Sequence, residues 1–386
     1  MFSRRTNWNL ENNRLSQALA RHRAAGKPVL DLTASNPTIC GFRYDADAIL
    51  RALANPASLT YEPQAQGLEI ARKAVADYYL ERRDRVAIGD IILTTSTSEA
   101  YSFVFRLLCE PDDEILAPAP SYPLFGFLAD VQDVKLVRYP LFYDYGWQID
   151  FGGLERAITP RTRAVIVVNP NNPTGHFCAE TEAVKLNAIC SRHQLAIVAD
   201  EVFLDFALTE KPPRSFAANR EVLTFTMSGL SKISGLPQMK LAWLVTDGPG
   251  NLKSGALARL NVIADTFLSM NAPVQHAASV LLGQRHAFQQ QLMGRVRHNL
   301  AVLDAGLAAQ KACSRLEIQG GWYAVVHVPQ TRSDEELAVA LLAERNVYVH
   351  PGHFYDFPSD GYLVISLITP EDEFVRGVDG LLSIFA

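Results

Sequence analysis

The segment Ser228–Gly235 reads SGLSKISG and sets a single lysine, Lys232, among small and hydroxyl side chains. Lysines on a surface helix usually come in numbers and stay in water; this amine has neighbours too small to shield it or pair with it. Such a placement suits nucleophilic chemistry, because an enclosed amine shifts its pKa readily and only the neutral form attacks a carbonyl. Three other features could act with it. Asp200 lies at the end of the apolar run in VADEVF (198–203), and a carboxylate there needs a partner; a cationic ring nitrogen would keep it ionised. The consecutive hydroxyl residues Ser96, Thr97 and Ser98 in TTSTSEA (94–100) fall where a strand gives way to a helix, whose free N–H groups bind phosphate with hydroxyl support. VVNPNNPTG (167–175) ends another strand in a turn dense in Asn, Pro and Gly, where a side-chain amide could donate to a ligand oxygen. Each has a plainer reading: the hydroxyls as helix caps, Asp200 as a capping or structural acid, the turn as loop punctuation.

These residues sit on a regular frame. IILTTS (91–96), EILAPA (114–119), VKLVRY (134–139), RAVIVVNP (163–170), LAIVADEVF (195–203), VLTFTMS (222–228) and LAWLVT (241–246) are short apolar runs, suited to strands buried on both faces. Helix-period segments such as SEAYSFVFRLLCE (98–110) and AETEAVKLNAICSRH (179–193) lie between several of them. The alternation predicts an α/β protein: a large domain with a mostly parallel sheet flanked by helices. From about residue 275 long helical segments follow without a proline, then WYAVVHV (322–328), a helix near 333–345, VYVH (347–350) and YLVISL (362–367). That is a second, smaller α+β domain. The polar amino-terminal stretch is expected to pack with it, so that 1–45 and 280–386 form the small domain and 46–279 the large one.

Composition narrows the function classes. A chain of 386 residues, 48% hydrophobic and 20% charged, has ample core for two domains. Net charge near −5 with mixed signs offers no basic stripe for nucleic acid or a membrane surface, and no apolar run approaches a membrane span. The start, MFSRRTNWNLENNRL, reads as neither a signal nor a transit peptide. The five cysteines, Cys40, Cys109, Cys178, Cys190 and Cys313, are odd in number and scattered, which fits reduced thiols rather than a disulfide frame or zinc site. A cytoplasmic protein without a metal centre is expected. No G-x-G-x-x-G follows an early strand, and neither a P-loop nor H-E-x-x-H occurs, so a nicotinamide-dependent dehydrogenase is disfavoured.

Taken in order, LDLTASNPT (30–38), YEPQAQGLEIARKAVADYY (61–79), TSTSEA, PAPSYPLF (118–125), NPTG (172–175), DEVF, GLSK (229–232) and VYVHPGHFY (347–355) resemble the class I/II aminotransferases, pyridoxal-phosphate enzymes of fold type I. The resemblance covers nearly the whole chain, and it is the ordered set rather than any one motif that is specific. It implies pyridoxal 5'-phosphate as cofactor and Lys232 as the residue forming the Schiff base and moving the substrate's Cα proton. It makes Asp200 the partner of the pyridinium nitrogen, which keeps the ring an electron sink. Asn172 would bond the ring oxygen and Tyr122 stack on the ring. Ser96, Thr97 and Ser98 would cradle the phosphate with Ser231 as an extra donor. Tyr61 would reach the phosphate of a neighbouring subunit, implying a homodimer with shared sites. The expected partners are a small-molecule amino donor and a 2-oxo acid acceptor.

The sequence departs from that family at three places. Phe203 stands where the family has a tyrosine donating to the ring oxygen, so the bound cofactor's visible band is expected to titrate with a raised midpoint. Lys240 replaces the phosphate-binding arginine, keeping the charge but losing the planar fork. Val364 replaces the arginine that grips the substrate carboxylate, and no Lys or Arg occurs between Asn346 and Val375. Arg4 or Arg5, a partner subunit's cation, or His350 and His353 could substitute, although a packed or solvated histidine is the plainer reading. Tyr44 and Trp8 are further candidates for the substrate pocket. Amino-group transfer leads; a lyase or oxidase using the same cofactor, or an effector-binding regulator on the same fold, are the alternatives. The donor and acceptor are not readable from the sequence.

Overall fold

Paired chain ends and a long run of buried β-branched residues set the architecture. The computed structural model describes residues 1–210 and 214–385. Strand β1 (Leu30–Asp31) comes first and pairs in parallel with a late strand. Eight strands then build the main sheet: β2 (Ile91–Thr94), β3 (Glu114–Ala119), β4 (Lys135–Tyr143), β5 (Trp147–Ile149), β6 (Thr162–Val168), β7 (Ala196–Asp200), β8 (Thr224–Gly229) and β9 (Ala242–Asp247). Their order is β2-β9-β8-β7-β6-β3-β4-β5. The pairs from β8 through β4 are parallel, and β2–β9, β8–β9 and β4–β5 are antiparallel. Strands β7, β8 and β9 are buried along their whole length, as a sheet covered on both faces requires.

The direction of strand addition reverses between β6 and β3. In an open parallel sheet the loops leaving the strands on either side of such a point frame a crevice at the carboxyl ends of the strands. The loop after β3 carries Tyr122, the loop after β6 carries Asn172, and Asp200 ends β7.

A second sheet holds β10 (Ser314–Arg315), β11 (Tyr323–His327), β13 (His350–Pro351) and β14 (Tyr362–Ser366) in the order β10-β11-β14-β13, all antiparallel. Strand β12 (Val347–Tyr348) is the partner of β1. The helix Arg14–Ala24 packs against the helix Asp334–Arg345 of the carboxy-terminal unit. The residues before it do not. Arg5 pairs with Asp133 at 2.6 Å. Trp8 donates its indole N–H to Asp130 Oδ2 at 2.8 Å and meets Phe127 edge-on at 5.5 Å. An indole needs both an apolar face and an acceptor, and the helix Leu124–Asp130 beside the main sheet supplies both. Trp8 is therefore committed to that contact.

Candidate active site

Lys232 owes its position to a short excursion between two neighbouring strands. β8 ends at Gly229, the one-turn helix Leu230–Ile233 follows, and the chain returns through Pro237–Met239 into β9. Gly229 pairs with Ala242, and the Leu230 N–H donates to the Leu241 carbonyl at 3.0 Å. Two outside groups brace the turn. Gln289 donates to the Ile233 carbonyl at 3.0 Å and to Asp205 Oδ2 at 2.8 Å, and Tyr44 donates to the Gly235 carbonyl at 2.8 Å. Gly235 has φ +64°, and an added Cβ would lie 2.4 Å from the Phe288 ring, so both the backbone and the space require glycine there.

The Lys232 ammonium lies 4.9 Å from the Trp322 ring centroid and 5.5 Å from that of Phe203. Burial among these rings pulls its pKa down to about 8, against the opposing pull of Asp200, so a usable share is the free base near neutral pH. Asp200 is buried, and loss of hydration raises its carboxyl to about 6. It accepts from the Tyr101 hydroxyl at 3.0 Å and from the Val202 N–H at 3.2 Å. Those two bonds and the nearby amine favour the anion, yet burial outweighs them. A buried acid so placed lacks a full positive partner.

The other expected residues are placed unequally with respect to this pair. Asn172 is buried, and its Oδ1 has no hydrogen-bond partner among the described residues. Its turn is fixed by Asn171, which donates to the Pro120 carbonyl at 3.2 Å, and by the Gln319 N–H bonding the Gly175 carbonyl at 3.2 Å. Tyr122 stands half-exposed, edge-on to Phe125; burial and then Asp200 raise its pKa. Ser96 caps the helix Thr97–Leu108 through its hydroxyl, which accepts from the Glu99 N–H at 3.2 Å. The plainer reading therefore holds for that hydroxyl, while the N–H groups of Thr97 and Ser98 at the helix start make no hydrogen bond among the described residues. Ser231 lies half-buried beside Lys232. Tyr61 is 80% exposed and lines a cavity of about 250 Å³ between residues 57–68 and 264–276, one that Lys232 does not border. Lys240 is exposed, in a left-handed backbone position at φ +52°, with no ion pair among the described residues.

The departures have structural expressions. Phe203 is buried edge-on to Trp322 at 5.1 Å, so hydrocarbon faces the amine where the resembled family has a hydroxyl. Val364 is buried, paired across the sheet with Val325 and His350. Arg5 is held by Asp133 just before β4, and Arg4 exerts its pull on Asp112 just before β3. Both groups are thus at the amino ends of these strands, opposite the crevice, and neither can replace a cation beside Val364 within one chain. Sequence reasoning missed Tyr101, Trp322, Tyr323, Tyr355 and Gln289. Tyr101 sits on the inward face of a helix whose period was visible; nothing in the sequence pairs it with Asp200.

The donor set fits the implied cofactor. Asp200 is a buried acid with only the Lys232 amine as a cationic neighbour, the Asn172 amide N–H₂ and the Thr97 and Ser98 N–H groups make no hydrogen bond among the described residues, and Lys232 has a lowered pKa. Asp200 would hold the ring nitrogen, Asn172 the ring oxygen through its amide group, and Thr97, Ser98 and Ser231 the phosphate.

Comparison with known proteins agrees. The family model for aminotransferase class I and II matches residues 27–374. An alanine aminotransferase of Mycobacterium tuberculosis is 29% identical over 358 residues, covering 90% of this chain and 83% of its own. A glutamate-pyruvate aminotransferase of Escherichia coli is 32% identical over 260 residues, 67% of this chain and 64% of its own. Among solved structures, an aminotransferase from Escherichia coli matches with TM-score 0.88 at 26% identity, covering 100% of this chain and 98% of that one. An alanine aminotransferase from Pyrococcus furiosus matches with TM-score 0.89 at 23% identity, covering 100% and 99%, a likeness of fold.

Proposed function

Because the chain belongs to the aminotransferase class I and II family, we propose that Lys232 is its reactive amine and Asp200 the acid that holds the cofactor ring. The protein is a pyridoxal-phosphate-dependent aminotransferase. The bound cofactor supplies the aldehyde that takes up the amino group and a ring that accepts the electron pair left at the substrate's α-carbon. Lys232 would hold that aldehyde through its amine, and the same amine, when free, would carry the proton removed from the α-carbon. Asp200 stabilises positive charge on the ring nitrogen, and Tyr101 orients the carboxylate by donating to Oδ2. Trp322 and Phe203 keep water from the amine.

One observation carries these assignments: a lysine enclosed by two aromatic rings, with its pKa brought down to about 8, beside a buried acid without a full positive partner. The test is spectroscopic. An amino donor should convert the bound cofactor to its amine form, a 2-oxo acid should restore it, and borohydride should fix the cofactor to Lys232. Release of ammonia with the cofactor unchanged would indicate elimination instead.

The finer reading is a cytoplasmic homodimer acting on an amino acid and a 2-oxo acid. Support comes from the exposed Leu59 and Tyr61 beside the 250 Å³ cavity, which suit coverage by a second copy, and from five free cysteines. No helix among the described residues is long and apolar enough to cross a membrane.

A further inference from the structure

One face of the second sheet leads toward Lys232. Directly opposed residues in an antiparallel ladder share a face, and so do alternate residues along a strand. Tyr323 opposes Ser366, Val325 opposes Val364, and His350 opposes Val364. Tyr323, Val325, Val364, Ser366 and His350 therefore present to the same side. Contacts lead back from this face to the amine: Tyr323 lies 6.3 Å from Phe203, ring to ring, and Phe203 borders Lys232. Burial and then the nearby Tyr122 phenol raise the pKa of Tyr323, burial and then Tyr323 and Tyr122 raise that of Tyr355, and Tyr122 feels Asp200.

A substrate with a carboxylate on its α-carbon must place that anion against a donor or leave it in water. Among the described residues from 346 to 375 the basic side chains are His350 and His353 alone. His353 is exposed and turned edge-on to Phe354 at 4.8 Å. His350 is half-buried among Tyr348, Phe354 and Tyr355. Its Nδ1 lies 3.1 Å from the Tyr355 hydroxyl, and its Nε2 makes no hydrogen bond among the described residues. With the Tyr355 hydroxyl donating to Nδ1, the neutral ring keeps its hydrogen on Nε2, ready to donate.

We propose that His350 is the binding group for the substrate carboxylate, and that taking up this anion draws a proton onto the ring. The inference rests on the aminotransferase reading above. Before substrate arrives, burial holds the ring below its ordinary pKa, opposed only by Asp31. Asp31 is itself occupied by Thr33, whose N–H and hydroxyl both donate to Oδ1. The other titratable groups around the ring are the phenols of Tyr348, Tyr355 and Tyr323, all with raised pKa and so uncharged. An anion at Nε2 adds the missing charge partner and raises the ring's pKa. Val364, paired opposite, carries no charge to compete.

The test uses the cofactor-loaded enzyme and propanoate, which has the alanine skeleton without the amine. Calorimetry at pH 7.5 in two buffers of different ionisation enthalpy should show net uptake approaching one proton per site. Propanoate affinity should fall by up to about tenfold per pH unit above the free ring's pKa. His350→Gln should abolish both the uptake and the pH dependence, weaken propanoate about tenfold, and raise KM for a carboxylate-bearing donor more than it lowers kcat. Tyr355→Phe, which removes the hydroxyl at Nδ1 but leaves the ring, should retain the uptake. Absence of uptake in the unmodified enzyme, or its persistence in His350→Gln, overturns the assignment. Conversion of the cofactor by an amino donor is followed in the same samples. If it persists while uptake is absent, only His350 is misassigned; if it is absent from the unmodified enzyme, the aminotransferase reading fails instead.

Discussion

Tyr44 donates its hydroxyl to the carbonyl oxygen of Gly235 at 2.8 Å, tying an early segment of the chain to the loop that carries Lys232. The Tyr44 ring also stacks on Phe288 at 5.9 Å, the side chain that a Cβ at position 235 would strike. Gly235→Ala should therefore destabilise the protein by about 2 kcal/mol or more, through overpacking and the left-handed backbone, and lower kcat. Tyr44→Phe keeps the stack and should cost only about 1 kcal/mol. Thermal melts of the two variants check this; a Gly235→Ala protein as stable as Tyr44→Phe would contradict the account.

Asp200 has a stability cost that its function requires. Its folded pKa of about 6 lies above the ordinary 3.8, so between those values the folded chain holds the proton more tightly than the unfolded one. Stability of the cofactor-free protein from this group is therefore present below about pH 4, lost as pH rises to about 6, and absent above. Asp200→Asn should stabilise the cofactor-free protein at pH 7 by on the order of 2–3 kcal/mol, while lowering activity by about 100-fold or more. Melting curves between pH 4 and 8 decide; equal stability of the two proteins at pH 7 would remove the argument.

Lys232 titrates in the opposite sense. Its pKa near 8 makes the free amine the majority above that pH, so the rate of coupling to the cofactor aldehyde should climb about tenfold per unit toward pH 8 and then level off. Stopped-flow absorbance on cofactor-free protein measures the profile. Lys232→Ala should show no coupling and lose activity by more than about 10³-fold.

Phe203 faces the same amine with hydrocarbon. Phe203→Tyr would place a hydroxyl on this wall and should lower the pH midpoint of the cofactor's visible band, because a donor to the ring oxygen stabilises the deprotonated imine beside it. An unchanged midpoint would mean that the new hydroxyl does not reach that oxygen.

Leu59 is 92% exposed and stands two residues before Tyr61, which lines the 250 Å³ cavity. Sedimentation of the protein should give a dimer. Leu59→Asp should weaken it and reduce cofactor retention as well, since Tyr61 is assigned to the neighbouring site.

Much of this site was legible because strand ends are legible. Lys232, Asp200 and Asn172 each follow a short apolar run, and a parallel sheet gathers such ends into one crevice. Tyr101, Tyr355 and Gln289 were not legible, because each acts across the fold on a residue from 5 to 99 positions away, and no local period encodes that meeting. The amino-terminal residues were misplaced for a related reason. Their polarity suggested a surface stretch beside the carboxy-terminal unit, but the indole of Trp8 found its acceptor at Asp130. The mostly parallel core and a smaller α+β unit were readable from hydrophobic runs alone, whereas the antiparallel order of the smaller sheet and the reversal between β6 and β3 emerge only from pairing.

The lysine-bearing loop leaves β8 and re-enters β9, strands that adjoin inside the main sheet, and the Leu230–Leu241 bond fastens it at its neck. Fraying it means parting two interior strands. On slow heating, bleaching of the yellow holoenzyme should therefore coincide with collapse of the sheet's circular-dichroism signal rather than herald it.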